Sequence, residues 1–225
     1  MRVKVSDFVT EFLASRRITH AFGIVGAACA HLFDSIYHHP AIELVCVHHE
    51  QSATMAMQTY YRTSGRMAAV VVTAGAGSTN AITGVLSAWM DSVPGLVVSG
   101  NENSRYTRDD NALRIYGVQG YDSPGMVRKI TKYAARLTDP TQVRYELEKA
   151  YSIALSGRPG PCWIDIPMDV QSAIVETDDL VGFDASKDSS SRCTPSGSPH
   201  DSQDVFGQVM RALKDARRPL LWLGQ

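Results

Sequence analysis

The sequence has 225 residues, of which 44% are hydrophobic and 20% charged, so it can form a folded core and widespread disorder is excluded. Its 22 basic and 23 acidic residues give a formal net charge of -1. That balance argues against nucleic acid or an anionic membrane as a partner. No apolar run approaches the length of a membrane span, and the first residues lack the apolar centre of a signal peptide.

The four cysteines are scattered and show no metal-binding spacing. Three of them, Cys29, Cys46 and Cys162, lie in apolar stretches and are expected to be buried thiols. This cysteine usage and the absence of a targeting signal predict a protein of the reducing cytoplasm.

Along residues 1–175 the hydrophobic residues alternate between a helical and a strand period. Ser6 is a candidate cap for the first helix, and Asp139-Pro140 is a candidate start for the last one. Helices are predicted at 6–16, 28–37, 50–62, 78–90 and 139–156, and strands at 20–24, 42–47, 67–73, 96–99 and 162–166. This order predicts an α/β fold, a parallel sheet with helices on both faces, whose ligands bind at the carboxyl ends of the strands.

The composition changes after Val175, and the sequence predicts three regions. Residues 1–175 form the α/β domain, and the Ser-, Asp-, Pro- and Gly-rich residues 176–203 form a linker. Residues 204–225 contain one helical pattern and one strand pattern, at 204–216 and 219–224. One helix and one strand do not close a core, so this region is expected to be the start of an incomplete second α/β domain.

Two strand-to-helix junctions carry unusual residues. At 45–53 (VCVHHEQSA) a strand delivers Glu50 into the first turn of a helix packed with small residues. Taken alone, Glu50 is best interpreted as a cap of this helix, because acidic residues favour a helix N-terminus. At 73–80 (TAGAGSTN) two close glycines open the next helix, but the spacing fits neither a phosphate loop nor a dinucleotide fingerprint.

Further motifs follow in a fixed order: MDSVP at 90–94, GVQG at 117–120, TKY at 131–133, GRPGP at 157–161 and DIPMDVQ at 165–171. Together with the two junctions, they resemble the amino-terminal, pyrimidine-binding domain of thiamine-diphosphate-dependent enzymes. The acetolactate (acetohydroxyacid) synthases are the most similar. The resemblance covers about residues 1–175 and the opening of the central domain at 204–225.

The resemblance implies a role for each matching residue. Glu50 would hydrogen-bond the aminopyrimidine ring of the cofactor and favour its imino tautomer, so that the exocyclic nitrogen takes the proton of the thiazolium carbon. Gln119 would face the substrate, a 2-oxo acid. The other residues implied in cofactor binding are Val25, Gly26, Ala27, Thr73, Gly77 and Asn80.

Some positions depart from the family pattern. Val25 and Ala27 replace the proline and the second glycine of the first loop, and Gly120 replaces the acid that follows the active-site glutamine. The usual Gly-Gln dipeptide is missing from 101–106. These loops face the substrate, which favours a relative with a different 2-oxo acid or a different acceptor.

The Gly-Asp-Gly motif, with which the family binds Mg²⁺ and diphosphate, is not in the sequence, and no metal ligand is predicted. We therefore expect a partner chain to supply the rest of the central domain and the Mg²⁺–diphosphate half, with little activity in this chain alone. The chain is either a natural subunit of a split enzyme or a fragment. Flavin binding stays open.

Two classes of function remain. The first is an enzyme part that serves decarboxylation of a 2-oxo acid and transfer of its acyl unit, or a decarboxylase or lyase of the same family. The second is a non-catalytic partner or regulatory remnant that kept the fold. The presence of Glu50 favours the first class.

Overall fold

The structure, a computed structural model, describes residues 1–107, 114–187 and 199–220, and of residues 199–204 the backbone only. The chain divides into two compact units, residues 1–185 and 186–225. The larger unit contains all the strands that the described residues form, and it carries the candidate site.

Six parallel strands form the central sheet of the larger unit, and two short strands pair antiparallel beside it. The sheet strands are β2 (His20–Gly23), β3 (Glu43–Cys46), β4 (Ala69–Val72), β5 (Gly95–Asn101), β6 (Tyr133–Arg136) and β7 (Pro161–Pro167), and the outer pair is β1 (Arg2–Lys4) with β8 (Ile174–Glu176). The five predicted strands are confirmed. The sequence did not predict β1, β6 and β8, because each is only three or four residues long and lacks an apolar run.

Helices connect the strands and cover both faces of the sheet. They are α1 (Val5–Ser15), α2 (Ala30–Tyr37), α3 (Glu50–Ser64), α4 (Ala76–Asn80), α5 (Ile82–Met90), α6 (Ser123–Val127), α7 (Val143–Leu155), α8 (Met168–Ser172) and, in the smaller unit, α9 (Pro199–Asp215). Single 3-10 turns lie at Ala27–Cys29, Ser104–Tyr106, Pro140–Gln142 and Thr177–Asp179. No helix of the described residues is both long and apolar enough to cross a bilayer.

Two details of the predicted helices are wrong. Ser6 is not the cap of α1: the helix begins at Val5, and Ser6 is buried inside it, where its hydroxyl accepts a hydrogen bond from Ser35 Oγ at 2.9 Å. The helix predicted over 78–90 is divided at Ala81 into α4 and α5. Asp139 does cap the turn before α7, by accepting from the backbone N–H of Thr141 at 2.9 Å.

The side chains of the sheet alternate between two hydrophobic cores. Ala69 and Val71 of β4 face the core beneath α1, α2 and α7, whereas Val70 and Val72 face the core beneath α3 and α5. All four side chains have no exposed surface. Burial on both faces explains why β4 is a continuous run of apolar residues.

In the strand order β3-β2-β4-β5-β7-β6 the chain reverses direction twice, after β3 and after β6, and the first reversal concerns the site. From β2 the chain first crosses to β3, at the outer edge, and then returns to β4 on the other side of β2. The loops after β2 and β4 therefore diverge from adjacent strand ends and leave a crevice between them. The candidate site lies at this position.

The edge position of β3 corrects a prediction. The strand was expected to be buried, but the side chains of Glu43 and Cys46 are exposed, and Cys46 is not a buried thiol. Cys29 and Cys162 are buried as predicted. The apolar run at 42–47 arises because Ile42 packs in the core and Leu44 packs against it.

In the smaller unit, α9 contains the helix predicted from residue 204 and begins earlier, at Pro199. The strand predicted at 219–224 falls mostly on residues 221–225, outside the described part of the chain, as does much of the predicted linker, at 188–198. The boundaries predicted for the linker and the incomplete domain stay predictions.

We predict that truncating a buried and an exposed leucine of α7 lowers the free energy of unfolding by different amounts. Leu147 is fully buried between α7 and the sheet, so Leu147→Ala should lower the free energy of unfolding by about 2–5 kcal/mol. Leu155, at the end of the same helix, is 41% exposed, and Leu155→Ala should cost less than about 1 kcal/mol. Urea denaturation measures both values, and equal losses would contradict the packing described for α7.

Candidate functional site

Glu50 is the buried acid of the crevice. It is the first residue of α3 and only 7% exposed. The cap of α3 is the preceding residue, His49, whose ring accepts from the backbone N–H of Gln51 at 3.2 Å. The simple interpretation of Glu50 as the helix cap is therefore wrong, and its carboxylate is available for another role.

One carboxylate oxygen of Glu50 is held and the other is not. Asn80, at the end of α4, donates from Nδ2 to Glu50 Oε2 at 3.0 Å. A methyl group on Gly77 would lie 3.0 Å from Oε1, so only glycine leaves that side of the carboxylate approachable. Among the residues that the structure describes, none donates a hydrogen bond to Oε1.

Thr73, directly after β4, joins the two loops of the crevice. Its Oγ1 accepts from the backbone N–H of Ala28 at 3.3 Å. A methyl group on Gly26 would lie 2.5 Å from Thr73 Cβ, so the loop after β2 approaches β4 as closely as a glycine allows. The neighbours Val25 and Ala27 are exposed, Val25 by 60%. They therefore stand at the mouth of the crevice.

Gln119 reaches the same crevice from a distant part of the chain. It belongs to a tight turn in which Tyr116 and Gly120 exchange backbone hydrogen bonds at 2.9 and 2.7 Å. The turn packs on the loop after β4, where a methyl group on Gly75 would lie 2.8 Å from the carbonyl oxygen of Gln119. The structure thus brings every residue that the sequence proposed for the site to one edge of the sheet.

Sequence reasoning missed Glu102, which supports this turn. The residue directly follows β5, and its Oε1 accepts from the backbone N–H of Gln119 at 3.3 Å. Methyl groups on Gly117 and Gly120 would lie 2.8 and 2.7 Å from Glu102, so both glycines make room for it. The signal in the sequence was its place at the carboxyl end of a strand, where site residues of parallel sheets collect.

Tyr121 and Ser78 tie the Gln119 turn to α4, through a hydrogen bond of 2.9 Å between their hydroxyls. Burial raises the pKa of Tyr121 to about 12, against the effect of the hydrogen bond from Ser78. Tyr121 therefore remains a neutral phenol throughout the physiological range. Its role at this edge of the crevice is to hold the turn in place rather than to carry charge.

A buried thiol lies beneath the loop after β2. Burial raises the pKa of Cys29 to about 11, although hydrogen bonds with Gly26 and Thr73 act in the opposite direction. Cys29 Sγ lies 3.5 Å from the carbonyl oxygen of Gly26. Within the described ranges no group of histidine, cysteine, aspartate or glutamate side chains could hold a metal ion.

The fold and the crevice define a class of protein, and comparison with known sequences identifies it. The sequence profile of the family described as "Thiamine pyrophosphate enzyme, N-terminal TPP binding domain" matches residues 3–126. The chain belongs to this family, and its cofactor is thiamine diphosphate.

Within the family the chain is similar to acetolactate synthases. It is 32% identical over 220 residues to the acetolactate synthase large subunit of Buchnera aphidicola subsp. Schizaphis graminum, which covers 97% of this chain and 36% of the relative. It is 31% identical to the large subunit of Corynebacterium glutamicum, over 90% of this chain and 30% of the relative. Acetolactate synthase isozyme 1 large subunit of Escherichia coli K12 is 28% identical over 97% of this chain. The chain spans about a third of the length of the curated relatives it matches.

We predict that the thiols differ strongly in their reaction with iodoacetamide at pH 8. Burial raises the pKa of Cys29 to about 11 and that of Cys162 to about 12, so almost no thiolate forms and reagent is excluded. Cys46 is exposed and should be alkylated at least about a hundredfold faster. Peptide mass spectrometry measures alkylation at each cysteine separately. Cys193 lies outside the described residues and is left out of the comparison. Rapid labelling of Cys29 in the folded chain would contradict the closed loop.

Proposed function

We propose that this chain binds the aminopyrimidine of thiamine diphosphate at the crevice between the loops after β2 and β4, with Glu50 as its acid–base residue. The single observation that carries the proposal is the state of the Glu50 carboxylate. It is buried, Asn80 fixes Oε2, and Oε1 has no donor among the described residues. An unbonded oxygen on a largely buried carboxyl group fits a ring nitrogen that can share a proton with it.

The remaining residues of the crevice pack closely around Thr73. Gly26 and Gly77 carry no side chain where a methyl group would meet Thr73 at 2.5 and 2.6 Å. In the proposal, Thr73, Gly77 and Asn80 line the pyrimidine, while Val25, Gly26 and Ala27 lie toward the reacting end of the cofactor. The exposed Val25 and Ala27 are then covered only when cofactor and substrate are bound.

This placement assigns separate roles to the cofactor and to the residues of the chain. Thiamine diphosphate, when bound, supplies the thiazolium carbon that adds to the carbonyl of a 2-oxo acid and accepts electrons during loss of carbon dioxide. Glu50 holds a proton at Oε1 and shares it with a ring nitrogen, while Asn80 keeps the carboxylate oriented. Gln119, held by Glu102 at the rim, contacts the substrate. The proposed reaction is decarboxylation of a 2-oxo acid followed by transfer of its acyl unit.

The rest of the activity requires further protein. We propose that Mg²⁺ and the cofactor's diphosphate are held by a diphosphate-binding domain, either in a partner chain or in the remainder of a longer chain. The support is the length of the relatives, of which this chain spans about a third.

We predict that the 225-residue chain alone binds thiamine diphosphate weakly, with a Kd above about 100 μM in the presence of Mg²⁺. Contacts to the pyrimidine are retained, but the ion pairs of the diphosphate are not. Thiamine without diphosphate is therefore the matched control and should bind with nearly the same affinity. Calorimetry measures both, and a Kd of about 1 μM for the diphosphate form alone would contradict the proposed division.

The role of Glu50 is tested by Glu50→Gln in the complete enzyme, assembled with the diphosphate-binding domain. The amide can still accept from Asn80, but it does not exchange a proton with the ring. Exchange of the C2 proton of the cofactor should therefore slow by about 10²–10⁴-fold, with little change in melting temperature.

Glu43→Gln is the matched control for this experiment. Glu43 lies on β3, on the same strand-to-helix segment, but its side chain is 70% exposed and faces His20. The control should leave C2 exchange unchanged. Normal exchange in Glu50→Gln would remove the acid–base role from Glu50, whatever the control shows.

A further inference from the structure

The segment Asp165–Gln171 (DIPMDVQ) covers the end of β7 and the short helix α8. None of its residues belongs to the cofactor-contacting set proposed above. Three of its side chains, Asp165, Asp169 and Gln171, are polar and hydrogen-bonded. Asp169 and Gln171 each contact a loop at the carboxyl edge of the sheet, and Asp165 contacts the ends of β5 and β6.

Gln171 holds the loop after β2. It is fully buried, and its Nε2 donates to the carbonyl oxygens of Ala28 and Ile166, each at 2.7 Å. The loop is also pressed against β5, because a methyl group on Gly100 would lie 1.8 Å from the oxygen of Ala28. Since the N–H of Ala28 is bound by Thr73, both backbone polar groups of Ala28 are fixed.

Asp169 holds the loop after β5. Its Oδ1 accepts from the backbone N–H of Ser104 at 2.8 Å, and its Oδ2 accepts from Ser104 Oγ at 2.5 Å. Two bonds to one residue fix both the position and the orientation of this turn. The turn begins two residues after Glu102, the residue that supports the Gln119 turn.

Asp165 fixes the two side chains that bind the backbone of Tyr121, two residues after Gln119. It has no exposed surface and accepts from Ser99 Oγ at 2.6 Å, Asn101 Nδ2 at 2.7 Å and Arg136 Nε at 2.9 Å. Burial raises the pKa of Asp165, against the effect of these three donors. Asn101 and Arg136 in turn both donate to the carbonyl oxygen of Tyr121, at 3.0 and 3.1 Å.

We propose that Asp165, Asp169 and Gln171 are positioning residues, which hold three separate parts of the site from one segment of the chain. Gln171 and Asp169 do so directly, and Asp165 does so through Asn101 and Arg136. β7 is suited to this because it pairs with β5 over seven residues, from Pro161 to Pro167. Rigid elements position a site more accurately than its own loops do. The inference deepens the proposed function and rests on it for the identity of the site, but the contacts themselves are independent of any cofactor.

The test is residue-resolved hydrogen exchange on the 225-residue chain, without cofactor. Gln171→Met keeps the volume but removes the donor, so the amide of Cys29, bound to Gly26 at 3.1 Å, should exchange about tenfold faster or more. The amides of Ser104 and Gly120 should not change. Asp169→Leu should produce the reverse pattern: the amide of Ser104 should exchange faster, and the exchange rate of the Cys29 amide should not change.

Asp169→Asn is the rescue variant, because its amide oxygen still accepts from the N–H of Ser104 and should restore most of the protection lost in Asp169→Leu. Asp169 is exposed, so its variants should fold even if Gln171→Met does not. Equal acceleration at all three loops, or protection unaffected by Asp169→Leu, would overturn the proposal. Loop-specific exchange with normal C2 exchange in Glu50→Gln would instead retain the positioning role and reject the proposed function.

Discussion

The parallel order of the strands determines where the chemistry of this chain can occur. The chain leaves β2 in one direction and β4 in the other, so their carboxyl ends form a crevice. Glu50 comes to this crevice at the start of α3, and Asn80 comes to it at the end of α4. These residues are 30 positions apart and come together because β3 and β4, which flank β2, end at the same edge of the sheet.

Two acidic residues near the carboxyl edge of the sheet, Glu50 and Asp165, are buried in different surroundings. Glu50 is 7% exposed and has one neutral hydrogen-bond partner among the described residues, Asn80. Asp165 is buried more deeply, but three donors, including Arg136, satisfy it. The difference separates the roles of the two acids. Asp165 accepts hydrogen bonds on both carboxylate oxygens, while Oε1 of Glu50 receives none from the described residues, which is why Glu50 and not Asp165 is the candidate acid.

The sequence predicted the parts of the structure that depend on local pattern. The strands around Val71 and Ile164 and the helices after Glu50 and Asp139 follow from hydrophobic periodicity and capping chemistry. The edge strand β6 and the exposure of Cys46 were not predictable, because edge position depends on the order of strands and not on their composition.

The residues of the candidate site also divide into those with a local sequence pattern and those that depend on the fold. Glu50, Thr73, Gly77 and Asn80 could be proposed from the sequence because they stand in two recognisable motifs where a strand leads into a helix. Glu102 was missed because its partner is the backbone of Gln119, 17 residues away, and such a contact has no local signature.

The proposed role of Glu50 is tested most directly by a crystal structure of the complete enzyme with thiamine diphosphate. It should place an aminopyrimidine ring nitrogen about 2.7 Å from Glu50 Oε1, with Asn80 still bound to Oε2. A pyrimidine bound elsewhere, with Glu50 Oε1 facing protein or solvent, would contradict it.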